Sequence, residues 1–195
     1  MKKILYIHHD DGQSGASRSL SFLVEQIDPK KYKAKINCIF NGVVLDLFKD
    51  KPVTIIKKRG IYPFHGSTVT GMYFKLFFMN FLKIPSTLVT AYRMIKIEKP
   101  DLIHLNSSSL FVVGAIAKLI NKKIKVICHV REPLLKNSIS GAIIKSMNFH
   151  FVDHFIAIDH YTGHSMKTRN NMDVIYNSVN FEDYNPELPS SFIIE

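Results

Sequence analysis

Acidic residues are scarce in this chain, cysteines scarcer, and a long unbroken apolar run is missing. Against 26 lysines and arginines stand 16 aspartates and glutamates, a formal net charge of +10 over 195 residues. The basic excess is spread over "KKYKAK", "KKRG" and "NKKIK" rather than gathered in one tail. Such a surface suits anionic partners: phosphorylated ligands, anionic lipid headgroups or nucleic acid. Zinc-finger spacing, an RNP-like motif and a helix-turn-helix are all missing, which ranks nucleic acid last and predicts no nucleic-acid partner. The two cysteines, Cys38 and Cys128, lie inside apolar strand-like runs and read as buried, reduced thiols of a cytosolic protein. No CxxC or HExxH pattern occurs, and no metal is expected. The amino-terminal "MKKILYIHHDD" meets acids at once and has no small-residue cleavage site, so it reads as a first strand rather than a signal peptide.

What is present is an ordinary globular composition, 46% hydrophobic and 22% charged, at about the length of one domain. Short β-rich runs alternate with longer helical ones. "KILYIHH", "AKINCIF", "VTIIKK", "DLIHLN", "KVICHV", "HFIAI" and "DVIYN" read as strands. Between them "ASRSLSFLVEQI", "VVLDLFKD", residues 72 to 98, "LFVVGAIAKLI", "LLKNSISGAIIKSMNFH" and "YTGHSMKTRN" read as helical, the third interrupted by Pro85. The strands are continuous apolar runs, as expected of strands covered on both faces. The fold class is therefore α/β, a Rossmann-like, doubly wound, mostly parallel sheet.

In such sheets ligands sit outside the carboxyl ends of the strands, near the point where strand order reverses. The residues that matter are then those just after each strand. They are His8, His9, Asp10 and Asp11; Asn106 with Ser107, Ser108 and Ser109; His129, Arg131 and Glu132; Asp159 and His160; and Asn177 with Ser178. A cleft lined by these groups suits a sugar or a phosphate.

Each motif also has a plainer reading. "GQSGASRSL" lacks the GxGxxG fingerprint and the GKS or GKT of a P-loop, and "CIFNG" offers only Asn41 where a ribose-binding acid belongs. A dinucleotide-dependent oxidoreductase is thereby disfavoured. Backbone N–H groups at Gly15 and Ala16 can face a phosphate or a sugar hydroxyl at the helix start. Taken alone, the same loop is a solvated turn with Ser14 or Ser17 as helix cap. His8 and His9 alternate across the strand and cannot both easily reach one ion, which leaves one of them a core-edge histidine. In "CHVREP", His129 is placed to hydrogen-bond a substrate hydroxyl, and Arg131 either binds a phosphate or pairs with Glu132.

The segment "IYPFHGSTVTGMYFKLFFMNFLKIPSTLVTAY" carries Phe74, Phe77, Phe78 and Phe81 on one helical face, flanked by Lys75 and Lys83. Pro85 and the lysines break the run well short of the ~20 apolar residues of a membrane span. A buried core helix and an interfacial helix dipping into a bilayer both fit.

Five pieces together resemble, across almost the whole chain, the amino-terminal domain of the retaining GT-B glycosyltransferases (glycosyl transferases group 1, family-4-like). They are "SGASRSL", "KPDLIHLNSSS", "KVICHVREP", "HFIAIDHYTGHSMK" and "VIYNSVNFEDYNP". The resemblance implies that His129 sits against the donor sugar as the catalytic histidine, and that Gly15 and Ala16 approach donor phosphates or acceptor. It implies that Asn106, Arg131 and Glu132 line the same cleft and that Asn177 marks the interdomain hinge. It departs from the family at Ser14, Asp159 and Ser178, where glycine, serine and glycine are usual. Residues 1–180 would form the acceptor-side domain and 181–195 the start of a linker, with the carboxyl-terminal donor domain absent and supplied in cis or in trans. The implied activity is transfer from a nucleotide sugar, a substrate rather than a cofactor, to a glycan or lipid-linked acceptor in cell-surface polysaccharide synthesis. This chain alone would be inactive. The alternative is a non-catalytic membrane-platform subunit that recruits a separate donor-binding chain. Either implies a cytoplasmic protein, peripheral at the inner face of the membrane.

Overall fold

The computed structural model describes residues 1–10, 12–40, 42–65, 74–166 and 171–177, with Phe74 by its backbone only. Asp11, Asn41, Ser178, the 181–195 linker and the side chain of Phe74 lie outside the described residues.

The strands are β1 (Lys2–His8), β2 (Tyr32–Cys38), β3 (Thr54–Ile56), β4 (Leu102–Leu105), β5 (Lys125–Val130), β6 (His154–Ala157) and β7 (Met172–Val174). The helices are α1 (Gly15–Glu25), α2 (Phe74–Glu98), α3 (Phe111–Ile120), α4 (Ile139–Phe151) and α5 (His160–Met166). All seven strands form one parallel sheet in the order β3-β2-β1-β4-β5-β6-β7, the doubly wound topology expected from the β-α alternation. The order reverses between β1 and β4, so the crevice at their carboxyl ends is the place for a ligand.

Alternation of side chains sorts the core into two layers. Leu5, Ile7, Ile103, Leu105, Val126, Cys128 and Val130 point to one face, where Met94 and Ile95 of α2, Val113 of α3 and Ile144 of α4 cover them. Tyr6, Ala34, Ile36 and Cys38 point to the other and pack under Leu20 and Val24 of α1, with Val44 and Phe48 of a 3-10 turn. Both cysteines are free and buried within these layers.

The helix expected to break at Pro85 runs through it without interruption from Phe74 to Glu98. An interior proline forfeits one bond to the preceding turn, at about 3 kcal/mol. Here it sits on the exposed face, while the opposite face is tied down by polar side chains. Asn80 accepts the His65 N–H at 2.9 Å and donates to the His65 carbonyl at 3.0 Å. Thr87 accepts the Tyr62 N–H at 3.0 Å, and Ser86 donates to the Gly60 carbonyl at 3.1 Å. Gly60 is required for this approach: its φ is +100° and a Cβ would stand 2.6 Å from Thr90 Oγ1.

The phenylalanines do not share one environment. Phe77 is half-buried, its ring 5.1 Å from that of Phe81, and Phe81 in turn packs at 5.7 Å on Phe64. The outward stripe is instead Phe78, Leu82, Pro85, Val89 and Tyr92, diametrically opposite Asn80, Thr87, Ala91 and Met94. Of the expected Phe74–Phe81 face, among members with described side chains, Phe78 and Phe81 are exposed and Phe77 is half-buried.

Candidate functional site

The polar strand-end residues converge where the strand order reverses. Tyr6 of β1 pairs in register with His104 of β4, so two residues further along the same sheet face stand His8 and Asn106. His129 near the end of β5 shares that face, and Arg131 follows just past the strand. The rings make a continuous row, Tyr6 to His104 at 5.1 Å and His104 to His129 at 5.7 Å.

Arg131 is the hub. Its Nε donates to Asn106 Oδ1 at 2.8 Å, its Nη2 lies 3.3 Å from His129 Nδ1, and its Nη1 donates to Asn177 Oδ1 at 3.4 Å. Asn106 is fully buried, with its Nδ2 at 2.9 Å from His8 Nδ1 and 3.4 Å from the Ala16 carbonyl. His8 Nε2 reaches Ser17 Oγ at 3.1 Å, and Ser17 donates to the Gly12 carbonyl at 2.7 Å. Asn177 also accepts from Ser19 at 2.9 Å, which ties the end of β7 to α1.

The loop between β1 and α1 is built by its own polar groups. Ser14 caps the helix, accepting the Ser17 N–H at 3.3 Å, and donates its hydroxyl to Asp10. Asp10 also accepts the Gly12 N–H at 3.2 Å. Burial pushes the Asp10 carboxyl up, but the Ser14 and Gly12 bonds and the neighbouring His8 and His9 outweigh it and leave it below the ordinary range. Gly15 faces open space, since a Cβ there would meet nothing within 4 Å.

The electrostatics are unusual in one respect: a buried cation is surrounded by neutral groups. Arg131 is 8% exposed, and among the described residues no carboxylate bonds it. Burial lowers its pKa to about 10, still charged at neutral pH. The imidazoles respond by staying neutral. Burial, then the Arg131 charge and His104, push His129 down to about 2. Burial and Arg131 push His104 to about 3, and burial with His9 and Arg131 brings His8 to about 3 despite the opposing pull of Asp10. Three buried ring nitrogens have no partner among the described residues: His129 Nε2, His104 Nε2 and His9 Nδ1.

Of the residues expected from sequence, His129, Arg131, Asn106, Asn177 and the Ala16 carbonyl join in one network, with Gly15 at its open edge. Glu132 is half-buried beside this network and acts on His9, raising its proton affinity against the lowering effect of burial; it forms no ion pair with Arg131 among the described residues. The phenylalanines of α2 lie elsewhere. His104 and Ser19 were not among the residues expected at the site, and Ser17, expected there only as a helix cap, enters it through its contact with His8. His104 was within reach, because it sits two residues before Asn106 on the same sheet face. Among the described residues no three His, Cys, Asp or Glu side chains are placed to hold a metal ion.

Residues 53–183 match the model of the family described as Glycosyltransferase Family 4. No curated protein sequence matches the chain. Among solved structures it is similar to Anabaena Alr3699/HepE in complex with UDP-glucose, at TM-score 0.69 and 17% identity, over 98% of this chain and 49% of that one. It is similar to the apo form of the lipopolysaccharide outer core galactosyltransferase WaaB, at TM-score 0.63 and 14% identity, over 93% and 47%. It is similar as well to UDP-N-acetylglucosamine 2-epimerase from Rickettsia bellii, at TM-score 0.54 and 12% identity, over 89% and 44%. Identities this low establish the fold alone. The chain spans about half the length of the solved structures it matches.

Proposed function

The chain belongs to glycosyltransferase family 4, and from that premise we propose that it is the acceptor-side domain of a retaining sugar transferase. The full enzyme moves a sugar from a nucleotide-sugar donor to a glycan or lipid-linked acceptor in cell-surface polysaccharide synthesis. The observation that carries this reading is Arg131, a buried guanidinium that has no carboxylate partner among the described residues, set where the strand order reverses beside His129 Nε2, which has no partner among them either. Sugar transfer joins an acceptor oxygen to the anomeric carbon while that carbon's bond to the diphosphate breaks. The diphosphate leaves with the electron pair, and the acceptor hydroxyl passes its proton to an oxygen of that departing diphosphate. Preorganised positive charge near the departing anion is the kind of group that lowers such a barrier. His129, with its pKa held near 2, is too weak a base to take a proton at neutral pH. Its role is therefore to orient a sugar by hydrogen bonding. Gly15 and Ala16 border the donor phosphates or the acceptor, Asn106 and Glu132 complete the wall, and Asn177 stands at the hinge toward a donor-binding domain supplied in cis or in trans. The HepE structure holding UDP-glucose supports a nucleotide sugar as donor.

A second reading is favoured by α2. No helix among the described residues is long and apolar enough to cross a membrane. The stripe Phe78–Leu82–Val89 is nonetheless exposed, with exposed Lys75, Arg93 and Lys96 on the same helix. That face suits peripheral contact with an anionic bilayer at the cytoplasmic side, either for a transferase or for a non-catalytic platform that recruits a donor-binding chain.

The experiment is sugar transfer from radiolabelled nucleotide sugars to membrane lipid extract, by this chain alone and joined to a donor-binding half. Activity only in the joined form, abolished by His129→Ala, is the expected result. Activity that survives His129→Ala undiminished would sink the site assignment.

A further inference from the structure

We infer that Arg131 is a positioning residue that sets the tautomers of two histidines, His129 and His8, and through the second holds the Gly12 loop against the site. A guanidinium has five N–H donors and no acceptor. The atom of Asn106 that faces Arg131 Nε at 2.8 Å must therefore be the amide oxygen, which fixes the orientation of that amide. Asn106 then turns its NH2 toward His8 Nδ1 at 2.9 Å and the Ala16 carbonyl at 3.4 Å. Nδ1 of His8 must accept, so the neutral ring carries its hydrogen on Nε2. That hydrogen points to Ser17 Oγ at 3.1 Å, whose own hydrogen is committed to the Gly12 carbonyl at 2.7 Å. Every link runs from donor to acceptor in one direction: Arg131, Asn106, His8, Ser17, Gly12. The second arm is shorter. Arg131 Nη2 faces His129 Nδ1 at 3.3 Å, so this nitrogen also accepts and His129 carries its hydrogen on Nε2, the buried atom that has no partner among the described residues.

Two consequences follow for chemistry. His129 offers a donor, not a lone pair, to whatever enters the cleft, so the group it recognises is an oxygen acceptor such as a sugar hydroxyl oxygen. Its only lone pair is turned to Arg131, which removes it as a general base on geometry alone. The identity of that oxygen as a sugar's rests on the proposed transferase reading; the tautomers do not. One cation thereby couples strand ends β1, β4 and β5, and links the orientation of His129 to the position of the loop that starts α1.

The test is long-range proton–nitrogen correlation NMR on the chain labelled at histidine nitrogens, at neutral pH and without donor or acceptor. Signals of the nine histidines are assigned by single His8→Gln and His129→Gln substitutions. The expected wild-type pattern is Nε2–H with a bare Nδ1 for both rings. A hydrogen on Nδ1 of either ring overturns the proposal. Asn106→Asp keeps an acceptor for Arg131 Nε but faces His8 with a carboxylate, so His8 is expected to gain a hydrogen at Nδ1 while His129 keeps its pattern. A His8 Nδ1 that stays bare in that variant also overturns it. Arg131→Leu should release His129 to the averaged shifts of a tautomer mixture, and an unchanged pattern there counts against the Arg131 arm. Should Arg131→Leu not fold, the wild-type and Asn106→Asp spectra still decide the matter. Because no substrate is present, failure of the transferase reading leaves this result untouched, and the reverse holds too.

Discussion

Lowering the pH from 7 to 4.5 should unfold this protein, and the burial of its histidines sets how steeply. His8, His104 and His129 are all within 4% of full burial, with pKa values near 3, 3 and 2 in the folded chain. In the unfolded chain each titrates near the ordinary value of about 6.5. Below that value the unfolded state binds protons that the folded state refuses, so stability falls as pH falls. It is fully present above about 6.5 and is lost progressively toward the folded-state values. Around pH 5.5 each ring is about nine-tenths protonated when unfolded, giving a slope of about 4 kcal/mol per pH unit for the three together. By pH 4.5 the accumulated loss is about 8 kcal/mol, comparable with the ~5–15 kcal/mol that holds a typical domain folded. The assay is urea unfolding followed by far-ultraviolet circular dichroism at pH 7, 6, 5.5 and 5. A loss below about 1.4 kcal/mol per unit between pH 6 and 5 corresponds to one proton or fewer. That result would refute the neutral, buried state of at least two of the rings. His104→Leu, which removes one titrating group, should lower the slope by about 1.2 kcal/mol per pH unit near pH 5.5.

Two further predictions probe the frame and the surface. Asp153 accepts from Lys118 Nζ at 2.5 Å and from the backbone N–H of buried Val126 at 2.7 Å, joining α3 to the start of β5. Asp153→Ala should cost about 2–3 kcal/mol in urea unfolding at neutral pH, since it orphans a buried N–H as well as loosening an ion pair; a loss under ~0.5 kcal/mol would show that water replaces it. On α2, the double change Leu82→Ser and Val89→Ser alters exposed positions and should shift stability by no more than about 0.5 kcal/mol each. The same variant should lose co-sedimentation with anionic vesicles, and equal binding by variant and parent, or no preference for anionic over neutral vesicles, would remove the bilayer from consideration.

The sheet was legible in the sequence because parallel strands leave a local signature: a short apolar run, a polar end, then a helical period. Each expected strand lies in the sheet, with ends shifted by up to three residues, as at "DVIYN", residues 173–177, whose strand spans Met172–Val174. Helix starts were less legible. The helix expected from Leu134 begins only at Ile139, because Asn137 takes a positive φ of 57° and Ser138 caps the next turn by accepting the Gly141 N–H at 2.9 Å. Pro85 misled for a different reason. Whether an interior proline breaks a helix depends on what holds the turns around it, and the bonds from Asn80, Ser86 and Thr87 reach a segment 15 to 26 residues away. No local pattern encodes that pairing. It also decided the facing of α2, since burying Asn80 and Thr87 turns Phe78 outward.

The candidate site shows the same division between local and long-range information. That polar residues follow β1, β4 and β5 could be read along the chain; which of them touch could not. Arg131 and Glu132 are neighbours in sequence and invite an ion pair, yet the guanidinium turns to Asn106, His129 and Asn177. Pairing with a carboxylate would offset the desolvation of the cation, and breaking such a pair is strongly destabilising. Neutral acceptors offset it less well, but they leave the positive charge uncancelled. The price is visible in the three imidazoles, each driven to its neutral form by burial and by the field of Arg131. A site arranged in this way is poorly suited to stabilising an empty fold. It is well suited to receiving an anion, whose arrival would supply the countercharge that the protein withholds. Binding of an anionic ligand should therefore raise the proton affinity of His129 and His104, since it screens the cation that lowers both. Followed by the ring-nitrogen NMR shifts as pH is lowered, both rings should then take up their protons at a higher pH, and a titration unaltered by saturating nucleoside diphosphate would place that ligand's charge away from Arg131.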